Sequence, residues 1–172
     1  MVKRIAVNPD LCTGCGLCEV ACSLKHEKEC RPDYSRIYIS KIEEDGVNVP
    51  VLCMHCNDAP CVAVCPTGAM ARDEKNGNVL LNADRCIGCQ MCIMVCPYGA
   101  IKSRTIDNSF KILKCDLCEG DPECVKYCKT NAIQYLKEEK FSLLRPKKLA
   151  ELYANKVKRS KKSKSSGSQV RV

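Results

Sequence analysis

The chain has 172 residues, 17 of them cysteine, with only two Phe and no Trp. So thin a supply of packing material excludes an ordinary apolar core, and the dense cysteine leaves a disulfide scaffold or a metal protein. The net charge of +8 is concentrated: residues 145–172 carry ten Lys/Arg against Glu151 alone, while residues 1–144 hold 18 bases and 19 acids, which excludes a uniformly basic nucleic-acid-binding body.

The opening MVKRIAVNPDLC has no apolar run of signal-peptide length and no paired arginines. No stretch approaches the roughly 18 apolar residues of a membrane span. A cytoplasmic location is therefore expected, where thiols stay reduced and act as ligands. KRIAV (3–7) predicts a first strand, and Cys12, Cys15, Cys18 and Cys22 follow as C-x2-C-x2-C-x3-C. SLKHE after Cys22 predicts a helix running on through Leu24. Cys30 stands alone, and strands are expected at RIYISKI (36–42) and VNVPVL (47–52). A second group, Cys53, Cys56, Cys61 and Cys65, lengthens its middle gap to NDAP and is followed by PTGAM. DEKNGN (73–78) predicts a turn with Asn76-Gly77 as the hairpin signal, leading into NVLL (78–81).

A third group, Cys86, Cys89, Cys92 and Cys96, repeats the first spacing and precedes PYGAI. FKILK (110–114) predicts a strand into the fourth group, Cys115, Cys118, Cys124 and Cys128, whose middle gap is EGDPE and whose sequel is KTNAI. Gly68, Gly99 and Asn131 sit three residues past the last cysteine of groups two to four, residue types that adopt positive φ where a tight turn feeds a strand. Short helices are expected after the third cysteine of each group. A last helix is expected from Pro146, with Leu149, Leu152, Tyr153 and Val157 on one face, and KKSKSSGSQVRV reads as disordered.

Three cysteines at intervals of three can wrap one corner of an iron–sulfur cubane. The fourth, about a helical turn further on, points away toward a different cluster. Tetrahedral zinc usually takes two separated C-x2-C knuckles, and disulfides would leave one of 17 cysteines odd. The pattern thus points to iron–sulfur clusters, with sixteen cysteines as ligands and Cys30 as an inert thiol in preference to a spare ligand or redox sensor. No nucleophile–base pair, phosphate loop or dinucleotide fingerprint is evident, so the expected work is one-electron transfer and not catalysis.

Other residues carry weaker signals. Asp116, Glu119, Asp121 and Glu123 form an acidic stretch that either docks a basic partner or is simply solvated. Tyr98 either packs over a cluster or, as is favoured, in the core; His55 either donates a hydrogen bond toward sulfur or, as is favoured, is exposed; His26 has no assigned role. The basic tail either grips an acidic partner, anionic lipid or nucleic acid, or keeps the chain solvated.

CIGCQMCIMVCPYGAI (86–101) resembles half of a bacterial two-cluster ferredoxin, and the four groups over 1–144 resemble the four-cluster subunits of molybdenum and tungsten oxidoreductases. CMHCNDAPC (53–61) is similar to the second motif of those subunits. CDLCEGDPEC (115–124) is similar to small subunits accompanying aldehyde:ferredoxin oxidoreductases or carbon monoxide dehydrogenase, although Lys129 stands where a proline is usual. The resemblance implies an α+β fold of two ferredoxin-like units around a cluster-filled core, the inner (about 47–105) nested within the outer (about 1–46 plus 106–144). A C-terminal helix (145–158) and a flexible basic tail (159–172) would follow.

The resemblance also implies four [4Fe-4S] clusters. Cys12, Cys15, Cys18 and Cys128 would hold one, and Cys115, Cys118, Cys124 and Cys22 another. Cys53, Cys56, Cys61 and Cys96 would hold a third, and Cys86, Cys89, Cys92 and Cys65 the fourth. Sequential pairing of groups one with two and three with four is the alternative, and spacing alone does not separate them. The implied function is an electron-transfer subunit serving a larger catalytic subunit, first of all a tungsten or molybdenum pterin aldehyde oxidoreductase, together with a second carrier or reductase subunit. Alternatives are a freestanding polyferredoxin, a subunit of a hydrogenase, carbon monoxide dehydrogenase or formate dehydrogenase, and, remotely, a zinc-bearing nucleic-acid module. No nucleic acid and no membrane span are expected.

Overall fold

Cysteine does much of the packing that aromatic residues would otherwise do. The computed structural model describes residues 2–106 and 108–137, so the helix expected from Pro146 and the tail lie outside the described residues. Among the described residues there are eight strands and four α-helices, a mixed α+β arrangement. The strands form four two-stranded ribbons.

β1 (Lys3–Val7) pairs with β8 (Ile133–Lys137), bringing the first and last described strands together. The Asn8 N–H extends that contact, donating to the Ala132 carbonyl at 2.7 Å. β2 (Ile37–Ile42) and β3 (Val47–Leu52) pair antiparallel from Ile37↔Leu52 to Ile42↔Val47. β4 (Met70–Arg72) pairs with β5 (Val79–Leu81), and β6 (Lys102–Ile106) with β7 (Ser109–Leu113). The expected boundaries at 46/47 and 105/106 fall inside the β2–β3 and β6–β7 hairpins.

Strand feeding by a left-handed residue occurs where expected: Gly68, Gly99 and Asn131 have φ of 62°, 59° and 55° and lead into β4, β6 and β8. The loop before β5 differs from a two-residue hairpin turn. Arg72↔Val79 closes it, the Gly77 N–H donates to the Asp73 carbonyl at 2.8 Å, and of the pair Asn76-Gly77 only Gly77 has positive φ.

Group one runs on as α1 (Leu17–Glu27), whose buried Cys18, Ala21 and Cys22 share one stripe, with Ser23 also buried. The other helices are single turns, α2 (Pro60–Ala63), α3 (Met91–Met94) and α4 (Glu123–Lys126). Each begins one residue before the third cysteine instead of following it. The first turn is thereby used to present Cys61, Cys92 or Cys124 inward, all three being buried. α1 packs on α4 and α2 on α3.

Two clusters of buried residues result. One holds Ile5, Ile37, Leu52, Leu117 and Ile133 with Cys18, Cys22, Cys115 and Cys124. The other holds Met70, Val79, Ile101 and Ile112 with Cys61 and Cys92. Neither contains an aromatic ring among its buried members.

Candidate functional site

Each cysteine loop is bent by a left-handed residue directly before its second cysteine. Gly14 and Gly88 have φ of 71° and 70°, and His55 and Leu117 hold the same conformation at 47° and 62°. Glycine marks this bend in groups one and three. In groups two and four no sequence signal does, because non-glycine residues rarely adopt it. Left-handed residues in a loop turn successive backbone N–H groups to one side, the arrangement of anion-binding nests. The His55 N–H lies 3.4 Å from Cys53 Sγ. The fourth cysteines are similarly served: Arg36 N–H donates to Cys22 Sγ at 3.2 Å and Met70 N–H to Cys65 Sγ at 3.4 Å.

The structure mixes cysteines from different groups. One cavity is lined by Cys53, Cys56 and Cys61 together with Cys96, under Met54, Pro60 and Tyr98. Another is lined by Cys86, Cys89 and Cys92 together with Cys65, under Met70, Ile87 and Met91. In the other half Cys22 is buried in the same cluster as Cys115 and Cys124, and it also feels the Cys118 thiol electrostatically. Cys12 and Cys15 act on Cys18, and Cys128 packs against this same cluster. Cys30 is exposed.

The donor set suits a cationic iron centre. Burial, reinforced by Glu19 and the neighbouring cysteines, pushes the Cys18 thiol up to about 12. Burial also raises Cys22, Cys61, Cys92, Cys115, Cys118 and Cys124. An isolated thiolate is costly at such sites, so the charged form is favoured only where bound iron meets it. At Cys65 burial acts upward too, but hydrogen bonds from Met70 N–H and Thr67 hold the thiol below its ordinary value.

His55 is buried, contrary to the expected exposure, with 1% of its surface accessible. Burial, with the cations of Lys114 and Arg4 nearby, holds it down to about 3. The imidazole is thus neutral, and its Nδ1 accepts the Val79 N–H at 3.1 Å, fastening the group-two loop to β5. Its side chain is turned inward because β5 offers that donor. His26, left without a role by the sequence, lies 3.6 Å from Cys118 Sγ and 3.5 Å from Asp116.

The acidic stretch of group four is less available than its sequence suggests. Lys126 bonds both Asp121 and Glu123, the latter at 3.0 Å, and Asp116 accepts the Cys118 N–H at 2.9 Å. Tyr98 lies at the mouth of a cysteine cavity, 40% exposed instead of within a core. Sequence alone gives Lys114 no site signal, only a lysine closing an apolar strand pattern, FKILK. It is 4% exposed.

A family model described as a 4Fe-4S dicluster domain matches residues 44–139, and one described as a 4Fe-4S binding domain matches residues 5–23. The polyferredoxin-like subunit of aliphatic sulfonate oxidoreductase from Pyrococcus furiosus is 45% identical over 124 residues, 72% of this chain and 70% of that one. Electron transport protein HydN of Escherichia coli K12 is 36% identical over 169 residues, 86% of this chain and 95% of that one. Among solved structures, the active-site complex BamBC of benzoyl coenzyme A reductase has a chain 22% identical with a TM-score of 0.47, covering 91% of this chain and 98% of that one. Among the described residues no helix is long and apolar enough to cross a membrane.

Proposed function

Because the chain belongs to the 4Fe-4S dicluster family of ferredoxin-type electron-transfer proteins, we propose that it carries four [4Fe-4S] clusters as a non-catalytic relay subunit. The observation that carries this reading is the exchange of the fourth cysteine: three thiols of one group line a cavity with the last thiol of another. The ligand sets are then Cys12, Cys15, Cys18 and Cys128; Cys115, Cys118, Cys124 and Cys22; Cys53, Cys56, Cys61 and Cys96; and Cys86, Cys89, Cys92 and Cys65. Nesting of an inner ferredoxin unit within an outer one follows from the same sets, and the pairing of β1 with β8 supports it.

A bound cubane supplies a site that gains and loses one electron without making or breaking a bond to substrate. The chain's own residues arrange the sets in a row. Cys61 acts electrostatically on Cys92, Cys53 on Cys115, and Cys18 on Cys124, linking each set to the next. Every set has at least one buried cysteine, but the two exposed members, Cys89 and Cys15, both belong to the terminal sets. Electrons thus enter and leave at the ends, and the middle is shielded from water and oxidants.

The partner in this reading is the catalytic subunit of a larger oxidoreductase, with a tungsten or molybdenum aldehyde oxidoreductase as the leading type and a second carrier at the other end. The name of the Pyrococcus furiosus relative, a subunit of an oxidoreductase, supports a fixed partner. The setting is cytoplasmic.

The test is anaerobic purification from the native source. About sixteen irons and sixteen sulfides per chain are expected, with a stoichiometric large subunit in the same fraction. Recovery of the chain alone supports a freestanding polyferredoxin instead. Cys22→Ser should abolish the electron paramagnetic resonance signal that Cys115→Ser abolishes. Loss of the Cys12→Ser signal instead would refute the exchange.

A further inference from the structure

Three cations converge on the start of β5 without a carboxylate among the groups they bind. Lys114 Nζ donates to the Val79 carbonyl and, at 3.0 Å, to the Cys115 carbonyl. Arg4, 5% exposed, reaches Asn78 Oδ1 and the Gly77 carbonyl. Arg72 binds the Gly77 carbonyl at 2.7 Å and the carbonyls of Cys56 and Asn57. Among the described residues none of the three is in a salt bridge with Asp or Glu. A buried cation satisfied only by neutral carbonyls is costly unless negative charge of another kind lies close by.

Lys114 stands where two of the proposed ligand sets meet. It immediately precedes Cys115, it is hydrogen-bonded to Val79, and Val79 lines the cavity of Cys53, Cys56, Cys61 and Cys96. One ammonium thus bonds the backbone beside both sets, at Val79 and at Cys115. The cavity of Cys86, Cys89, Cys92 and Cys65, an end set, is lined by no lysine or arginine.

We infer that Lys114 is the shared counter-charge of the two middle clusters, raising their reduction potentials above those of the two end clusters. The inference rests on the ligand sets proposed above. An oxidised cubane with four thiolates carries about −2, and one electron makes it about −3. That electron comes from a reduced one-electron carrier at an end of the row. No bond is made or broken. A fixed cation favours the more negative state, so the added electron is held more stably at the middle of the relay than at either end. Lys114 is a positioning residue here, acting on the clusters through charge and not through ligation.

The experiment is a redox titration of the full-length holoprotein, followed by electron paramagnetic resonance. Iron and sulfide content of the wild-type protein comes first: fewer than about sixteen irons refutes the ligand reading, whatever Lys114 does. Given a full complement, Lys114→Gln should lower the potentials of the signals lost in Cys61→Ser and Cys115→Ser. Those lost in Cys92→Ser and Cys18→Ser should stay in place. Lys114→Arg, which keeps the charge, should leave all four near their wild-type values. Unchanged potentials in fully loaded Lys114→Gln, or an equal shift of all four, would overturn the inference. If Lys114→Gln does not load clusters, Lys114→Arg decides. Full loading with wild-type potentials upholds a charge requirement at this position, and failure to load makes the residue purely structural and overturns it.

Discussion

His26 Nε2 lies 3.6 Å from Cys118 Sγ and 3.5 Å from Asp116 Oδ1, so the last turn of α1 closes onto the loop of the fourth cysteine group. Burial, with Arg36 nearby, holds the imidazole below its ordinary range, leaving it neutral with one N–H to donate. Hydrogen bonds to ligand sulfur raise cluster potentials. His26→Ala is expected to lower the potential of the cluster proposed at Cys118 while iron content stays full, and to cost about 1 kcal/mol of stability. Redox titration of the holoprotein measures the first effect, and an unmoved potential would remove His26 from the cluster's surroundings.

Gly88 and Gly46 separate two costs of adding a side chain. Both have positive φ, 70° and 63°, but a Cβ on Gly88 would come 2.9 Å from the Phe110 ring whereas one on Gly46 meets nothing. Gly46→Ala should cost the conformational penalty alone, about 1 kcal/mol. Gly88→Ala must displace Phe110 as well and should cost about 2 kcal/mol. Thermal unfolding of the two holoproteins compares them, and equal costs would show that Phe110, 48% exposed, moves aside freely.

Glu27 ties α1 to β7 and to the loop before β2. Its carboxylate, 8% exposed, bonds Arg36 at 2.8 Å and Lys111 at 3.1 Å. Burial works to raise its pKa, but the hydrogen bonds from Lys111 and Arg36 outweigh it and leave the carboxyl below its ordinary value. A depressed carboxyl contributes stability that is present above its unfolded value of about 4.3 and is lost as pH falls through the lower folded value. Glu27→Gln should cost about 2 kcal/mol at pH 7, between the exposed and fully buried cases. The difference from wild type should shrink only below about pH 4. Unfolding measured at both pH values tests this, and a gap already closing at pH 6 would assign the effect to another group.

Cys30 is exposed and outside every ligand set, so Cys30→Ser should leave iron, sulfide and stability unchanged. Chelation should have the opposite effect on the whole chain. Four of the nine buried residues of one core cluster are cysteines, and their burial is favourable only with iron present. Circular dichroism after iron removal should show loss of structure, and a retained spectrum would mean that the apolar residues suffice alone.

The cysteine spacing by itself determined the chemistry. C-x2-C-x2-C-x3-C is a local pattern, and the reach of three thiols on one short loop does not depend on what surrounds it. Gly68, Gly99 and Asn131 were equally legible, since a left-handed turn is a property of the residue that adopts it. Tertiary structure alone decided the rest. Which fourth thiol shares a cavity with which three depends on α2 packing against α3 and α1 against α4, contacts between segments remote in sequence. His55 was read as exposed because nothing near it in sequence buries it. Val79, twenty-four residues away, does so through one backbone N–H. Lys114 has no local signal for the same reason: a lysine signals solvent unless a carbonyl from a distant segment, here that of Val79, meets it in the interior.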